Sequence, residues 1–316
     1  MSVSRVTEWV LVAGRWTRMS RMTNFKPSEE LDPEVVFVMI PGNPGNEKFY
    51  EHFGQRILEI LETKKYEKRI EFLTVCHLNH VELPERLVDS SQLGKNERFL
   101  LNHQVQHKFD FFMDHVPKKS KLILMGHSIG AYMGLKILPE LISEGFNVVK
   151  TLALFPTIEQ MAVSPNGKKL GGILKFFDEH DTLSQIILSW LWFLPSPIKR
   201  FLVGFNLRDP TTPECIVESA MEIISPPVIR NIIHMSNDEL KNVVDHNPDL
   251  FQHKEKIIVY YGKNDGWVPN SCAQRQLERL GENYVLVDED NCEHAFVIKD
   301  GEVMARNIVS LVEKCI

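Results

Sequence analysis

The chain of 316 residues is short of several things, and each shortage closes a route. It has five cysteines, Cys76, Cys215, Cys272, Cys292 and Cys315, an odd number with no C-x-x-C pair. That excludes a regular disulfide framework and fits reduced thiols in a cytosolic setting. There is no H-E-x-x-H. His103 and His107 stand four apart, but Gln104 takes the glutamate's place, so these two, with His77 and His80, are read as surface or core histidines rather than zinc ligands. The reading calls for no metal and no cofactor. There is no excess of basic residues; a net charge of −6 gives no footing for nucleic acid. No apolar segment is long enough to cross a bilayer. The first residues place Arg5, Glu8 and Arg15 around a short apolar stretch, which does not read as a cleavable signal peptide. Repeats and low-complexity tracts are absent.

What is present is an ordinary globular balance, 43% hydrophobic and 25% charged, over a length that suits one large α/β domain or two small ones. The most informative stretch is Lys121 to Tyr132, an apolar strand running into Gly126-His127-Ser128-Ile129-Gly130 and then an amphipathic helix with Ile129, Met133, Ile137 and Leu141 four apart. G-x-S-x-G between strand and helix is a nucleophile elbow. The serine takes a strained turn, so the residues flanking it must be small where the two backbones crowd.

Serine needs a base, and the base needs an orienting acid. In the α/β-hydrolase fold the chain order is serine, acid, histidine. Asp265 follows the strand Lys256 to Tyr261, and His294 follows the last strand, Asn283 to Val287. Together with Ser128 this puts all three at the carboxyl ends of parallel strands, where open α/β sheets bind ligands. Asp288, Glu289 and Asp290 are nearer to His294 in sequence but are read as solvating its loop. Cys292 is read as packing and Trp267 as a pocket wall. The strand Val35 to Ile40 ends at Pro41-Gly42-Asn43-Pro44-Gly45, where the prolines leave only Gly42, Asn43 and Gly45 as N–H donors. The oxyanion hole is therefore assigned to the N–H groups of Asn43 and Ile129.

An edge hairpin is expected over residues 6–23, a linker over 26–34, helices over 47–64, 99–116 and 302–314, strands over 70–75 and 148–155, and a polar loop over 76–97. The hydrolase core is thus expected over residues 1–156 and 252–316, with residues 157–251 inserted as a helical cap. Within the cap, residues 183–205 form two apolar arms broken at Pro195-Ser196-Pro197, with Lys199 and Arg200 alongside. By their residues alone the arms fit either a hairpin dipping into one lipid leaflet or a buried cap helix.

With these motifs placed, nearly the whole chain resembles the lipid-droplet-associated hydrolase family of the α/β-hydrolase superfamily. The resemblance rests on Pro41 to Gly45, Gly126 to Tyr132, Asp265 to Pro269 and Glu293-His294-Ala295. It implies a serine hydrolase of lipid esters, sterol esters among them, on the cytosolic face of lipid droplets and the endoplasmic reticulum. It carries over Ser128, Asp265 and His294 as nucleophile, acid and base, and it tilts residues 183–205 towards an anchor in the droplet monolayer. Pro41 departs from many related lipases, which place a histidine before the oxyanion glycine. The competing readings are a droplet-bound scaffold with little catalytic activity, and a peptidase or thioesterase on the same fold.

Overall fold

Side-chain alternation along the central strands sets the architecture. In the computed structural model, which describes residues 3–26, 32–88, 97–207 and 212–316, Val35–Ile40 (β3) and Lys121–His127 (β5) lie side by side and parallel. Val36, Val38, Ile40, Leu122 and Leu124 point to one core, and Val35, Phe37, Met39, Ile123 and Met125 to the other. A strand buried on both faces must be apolar at every position, which is why β3 reads as an unbroken hydrophobic run.

Among the described residues, eight strands form one sheet in the order β1-β2-β4-β3-β5-β6-β7-β8. Ser4–Val12 (β1) and Arg15–Thr23 (β2) make the expected hairpin, and β2 pairs antiparallel with Ile70–Val75 (β4). From β4 onward all pairings are parallel, through Val148–Leu154 (β6), Ile257–Tyr261 (β7) and Val285–Val287 (β8). Glu51–Thr63 (α1) covers one face together with the C-terminal helix, and Leu101–His115 (α2) and Ile129–Ser143 (α3) cover the other. The expected linker lies largely outside the described residues, as does the 89–96 part of the loop after β4.

Residues 157–251 hold Pro165–Glu179 (α4), Asp181–Leu188 (α5), Ser196–Leu207 (α6), Glu214–Ile223 (α7) and Pro226–Asn242 (α8). The segments Asp181–Phe193 and Ser196–Leu207 meet at 108° across the proline break. Neither arm is sunk into the domain: Phe193 is 85% exposed, Phe201 71%, Ile186 66% and Trp192 61%. The basic residues expected to flank a lipid hairpin have other duties. Lys199 Nζ donates to Ile224 O, and Arg200 pairs with Glu214, tying α6 to α7.

Two expectations about elements change. The helix over 47–64 begins as a separate 3-10 turn, Glu47–Tyr50, because Asn46 caps Lys48 N and the buried Glu47 turns inward to Arg18. A helix that the sequence reading passed over, Asn270–Leu280 (α9), bridges β7 and β8 before the final helix Gly301–Val312 (α10). Its inward face, buried Cys272, Ala273 and Gln276 with Leu277 and Leu280 packed partly buried beside them, has helical spacing, so the helix was legible in the sequence and simply passed over.

Candidate active site

β5 ends at His127 and α3 begins at Ile129, leaving Ser128 alone in the turn at φ 54, ψ −121. A non-glycine residue there costs of order 1–3 kcal/mol and persists only where the surroundings enforce it. The enforcement is visible. A Cβ on Gly126 would lie 2.3 Å from Gly130 O, and one on Gly130 would lie 2.3 Å from Ile40 O. The serine is also pinned at both ends of its backbone, its N–H donating to Leu154 O (2.9 Å) and its carbonyl accepting from Ala131 N (3.1 Å).

The structure brings the three sequence-predicted residues together. His294 Nε2 lies 3.0 Å from Ser128 Oγ, and His294 Nδ1 lies 2.6 Å from Asp265 Oδ2. The other carboxylate oxygen, Oδ1, accepts from Trp267 N (2.8 Å) and Val268 N (3.0 Å), so the acid cannot swing away. With Nδ1–H committed to Asp265, Nε2 is left to accept the serine proton. The Asp265 side chain is buried and that of His294 slightly exposed, an arrangement that shields the acid and leaves the base reachable.

The loop after β3 presents its donors unequally. Gly42 N donates to Tyr50 Oη (2.9 Å) and Gly45 N to Gly42 O (2.6 Å). Among the described residues none accepts from Asn43 N–H. The loop sits against Ser128, since a Cβ on Gly42 would come within 3.0 Å of Ser128 Cβ. Ile129 N–H is the first of α3, orphaned by position, at the positive end of the helix dipole.

Two residues that the sequence reading did not single out complete the surroundings. Tyr50 Oη lies 2.7 Å from His127 Nδ1, and His127 Nε2 lies 2.8 Å from His294 O. One consistent set of donors satisfies the whole chain: Gly42 N–H to Tyr50 Oη, Tyr50 O–H to His127 Nδ1, His127 Nε2–H to His294 O. Burial, with His294 nearby, pushes His127 down to about 3, so it stays neutral and keeps this tautomer. Its signal was in plain sight as the second residue of G-x-S-x-G; Tyr50 had none.

Of the rival acids, Glu289 and Asp290 are exposed as expected, and Asp288 differs. Asp288 does not solvate the loop. It is fully buried, accepting from Tyr260 Oη (2.7 Å) and Cys292 N (2.7 Å), and so it clamps the loop that presents His294. Cys292 packs in the core beneath, its thiol pushed up to about 12 by burial and by Asp288. Trp267 is half-buried against the core. His77, His80 and His107 are buried, with burial holding all three below the usual imidazole range. Lys108 beside them is pushed down to about 7 by burial and donates to Cys76 O (2.7 Å). Among the described residues no group of three His, Cys, Asp or Glu side chains is placed to hold a metal.

A cavity of about 900 Å³ opens between the edge hairpin, the loop after β4 and the cap, lined among others by Trp9, Trp16, His77, Phe99, Trp192 and Val228. None of Ser128, Asp265 and His294 lines it.

Comparisons with known proteins bear on the family and the fold. The sequence profile of the lipid-droplet associated hydrolase family matches residues 33–297. A lipid droplet-associated hydrolase of Gallus gallus is 31% identical, covering 95% of this chain and 89% of its own length. One of Homo sapiens is 29% identical, covering 94% and 88%. Among solved structures, a laboratory-evolved variant of a potato epoxide hydrolase superposes with a TM-score of 0.62 at 11% identity, covering 98% of this chain and 100% of that one. The fold is that of the α/β-hydrolases.

Proposed function

The chain belongs to the lipid droplet-associated hydrolase family, and from that premise we propose that it is a serine hydrolase cleaving lipid esters, sterol esters among them, at the droplet surface. The observation that carries the reading is the pair of contacts through one imidazole, 3.0 Å to Ser128 Oγ and 2.6 Å to Asp265 Oδ2. His294 Nε2 takes the Ser128 proton as Oγ attacks the ester carbonyl, and Asp265 holds the tautomer and offsets the charge on the imidazolium. The N–H groups of Asn43 and Ile129 receive the oxyanion. His294 then returns the proton to the departing alcohol, leaving an acyl-enzyme, and a water activated by the same imidazole releases the acid.

The substrate class is drawn from the family together with the exposed apolar cap. Ile186, Trp192, Phe193 and Phe201 on the bent pair of segments Asp181–Phe193 and Ser196–Leu207 suit a monolayer, which has an oily interior and no second aqueous face. The location that goes with this reading is the lipid droplet surface and the cytosolic face of the endoplasmic reticulum, and the exposed apolar residues support it. The same apolar face favours one other reading, a droplet-bound scaffold in which the site is idle.

One experiment separates them. Purified protein and Ser128→Ala are treated with a fluorophosphonate probe and then assayed on sterol, glyceryl and short-chain esters. The proposal expects labelling and turnover in the natural protein, with turnover lower by several orders of magnitude in the variant. Equal labelling of Ser128→Ala overturns the nucleophile, and an unlabelled natural protein favours the scaffold.

A further inference from the structure

The oxyanion loop is not held by the core alone. Asn43 reaches across to cap helix α8, its Nδ2 lying 2.8 Å from Ser236 Oγ, 3.0 Å from Glu239 Oε1 and 3.3 Å from Ile232 O. Glu239 is almost fully buried. A carboxyl group held so deep needs a donor, and the Asn43 carboxamide is the one placed to supply it.

Three residues further along, the loop is tied to the cap again. Asn46 Nδ2 donates to Glu222 Oε2 on α7 (2.8 Å), and Glu222 also takes Lys48 Nζ (2.8 Å) and Arg18 (2.6 Å), whose guanidinium in turn pairs with the buried Glu47. Both ties run from the segment that carries the free Asn43 N–H to helices of the cap, and the exposed apolar arms α5 and α6 belong to that same cap.

A side chain anchored at its amide restrains its own backbone, because χ1 is confined to staggered wells that depend on φ and ψ. The Asn43 N–H has no acceptor among the described residues to orient it otherwise. We propose that Glu239 is a positioning residue for the oxyanion hole: through the Asn43 side chain it aims the Asn43 N–H at the carbonyl attacked by Ser128, and so makes the hole depend on a seated cap. This rests on the assignment of Asn43 N–H to the hole.

The test compares Glu239→Ala, Glu239→Gln, Asn43→Ala and the double variant Glu239→Ala/Asn43→Ala on a soluble short-chain ester. Rates are taken per active site titrated with a fluorophosphonate, so a poorly folded fraction does not count. Asn43→Ala keeps the backbone N–H and cuts the same tether from the loop side, where little packing is lost. The expected result is a fall in kcat of about tenfold to a hundredfold for Glu239→Ala and for Asn43→Ala, with KM within about twofold. Affinity for an alkyl boronic acid, whose tetrahedral adduct carries the oxyanion, falls by the same factor. Glu239→Gln restores kcat to within about threefold, since an amide oxygen also accepts, and the double variant is no worse than either single one. An unchanged kcat in Glu239→Ala, a Gln variant as slow as the Ala variant, or multiplying effects in the double variant would each overturn the proposal. Failure of the serine assignment looks different: the natural protein then leaves Ser128 unlabelled.

Discussion

Tyr50 Oη stands 2.7 Å from His127 Nδ1 and 2.9 Å from Gly42 N, so one phenol joins the loop after β3 to the residue before Ser128. His127 passes the link on to the backbone of His294. Loop, elbow and base loop therefore share one hydrogen-bonded chain. Its groups are buried, and a buried donor or acceptor left unpaired costs about 1–3 kcal/mol.

Tyr50→Phe tests that chain with the least disturbance, because the ring and its edge contact with Phe296 remain. Gly42 N–H and His127 Nδ1 are both stranded. The expected outcome is a loss of about 1–3 kcal/mol in denaturant unfolding, together with a lower kcat per titrated active site. A variant equal to the natural protein in both measurements would show the phenol hydroxyl to be idle.

Two glycines of α3 make a matched pair. Gly130 faces backbone, with Ile40 O and Pro41 O within 2.4 Å of any added Cβ, whereas the nearest neighbour of a Cβ on Gly134 is a flexible side-chain carbon at 3.6 Å. Gly130→Ala must displace β3 or α3 and is expected to lower Tm by about 5 °C or more. Gly134→Ala gains helix propensity of about 1 kcal/mol and is expected to hold or raise Tm. Thermal melts of the two variants side by side decide it, and equal losses would refute the crowding argument.

The parts legible in the sequence were those whose chemistry is local. G-x-S-x-G needs glycines at fixed offsets, the central strands need apolar residues on both faces, and a base after the last strand follows from chain order. Ser128, Asp265 and His294 were found on those grounds. Tyr50 and Glu239 were not, because each acts through single hydrogen bonds, Tyr50 to Gly42 N and His127 and Glu239 to Asn43, which leave no periodic trace. Asp288 was misread because a buried acid and a solvated one look the same in sequence; only its bonds to Tyr260 and Cys292 N tell them apart. The arms over residues 183–205 were ambiguous for a related reason, since a helix apolar all round suits a core as well as an oily surface.

Glu239 also sets a pH dependence. Burial, the largest cause, raises its carboxyl from the ordinary value of 4.5 to about 8; the Asn43 bond opposes this and the neighbouring Asp238 charge adds to it. Between about 4.5 and 8 the folded protein therefore holds a proton that the unfolded chain has released. Stability from this group is fully present below the lower value and is lost as pH rises towards the upper one. Glu239→Gln has no proton to lose. Relative to the natural protein it is expected to gain stability steadily from pH 5 to pH 8 in urea unfolding. The same gap at both pH values would show that Glu239 does not titrate in this window.

The apolar cap yields the prediction closest to biology. Deleting residues 183–205 would be a blunt test, because Ser184, Leu191 and Val203 within them are buried and their loss would unseat the cap. Ile186, Phe193 and Phe201 are the cleaner targets, 66%, 85% and 71% exposed. Immersing a large apolar side chain in lipid is worth roughly 1.5–3 kcal/mol. Scaled by their exposure, the three give about 3 kcal/mol or more, a hundredfold or more in partitioning, even at the low end of that range. Ile186→Ser/Phe193→Ser/Phe201→Ser is therefore expected to fall off triolein droplets coated with phosphatidylcholine in a flotation assay. Its turnover of a soluble short-chain ester should stay at the natural level, because none of the three touches Ser128, Asp265, His294 or the Asn43 tether. If the triple variant still floats with the droplets, these arms are not the lipid contact. If it sinks and also loses soluble-ester turnover, the arms are instead part of what shapes the active site.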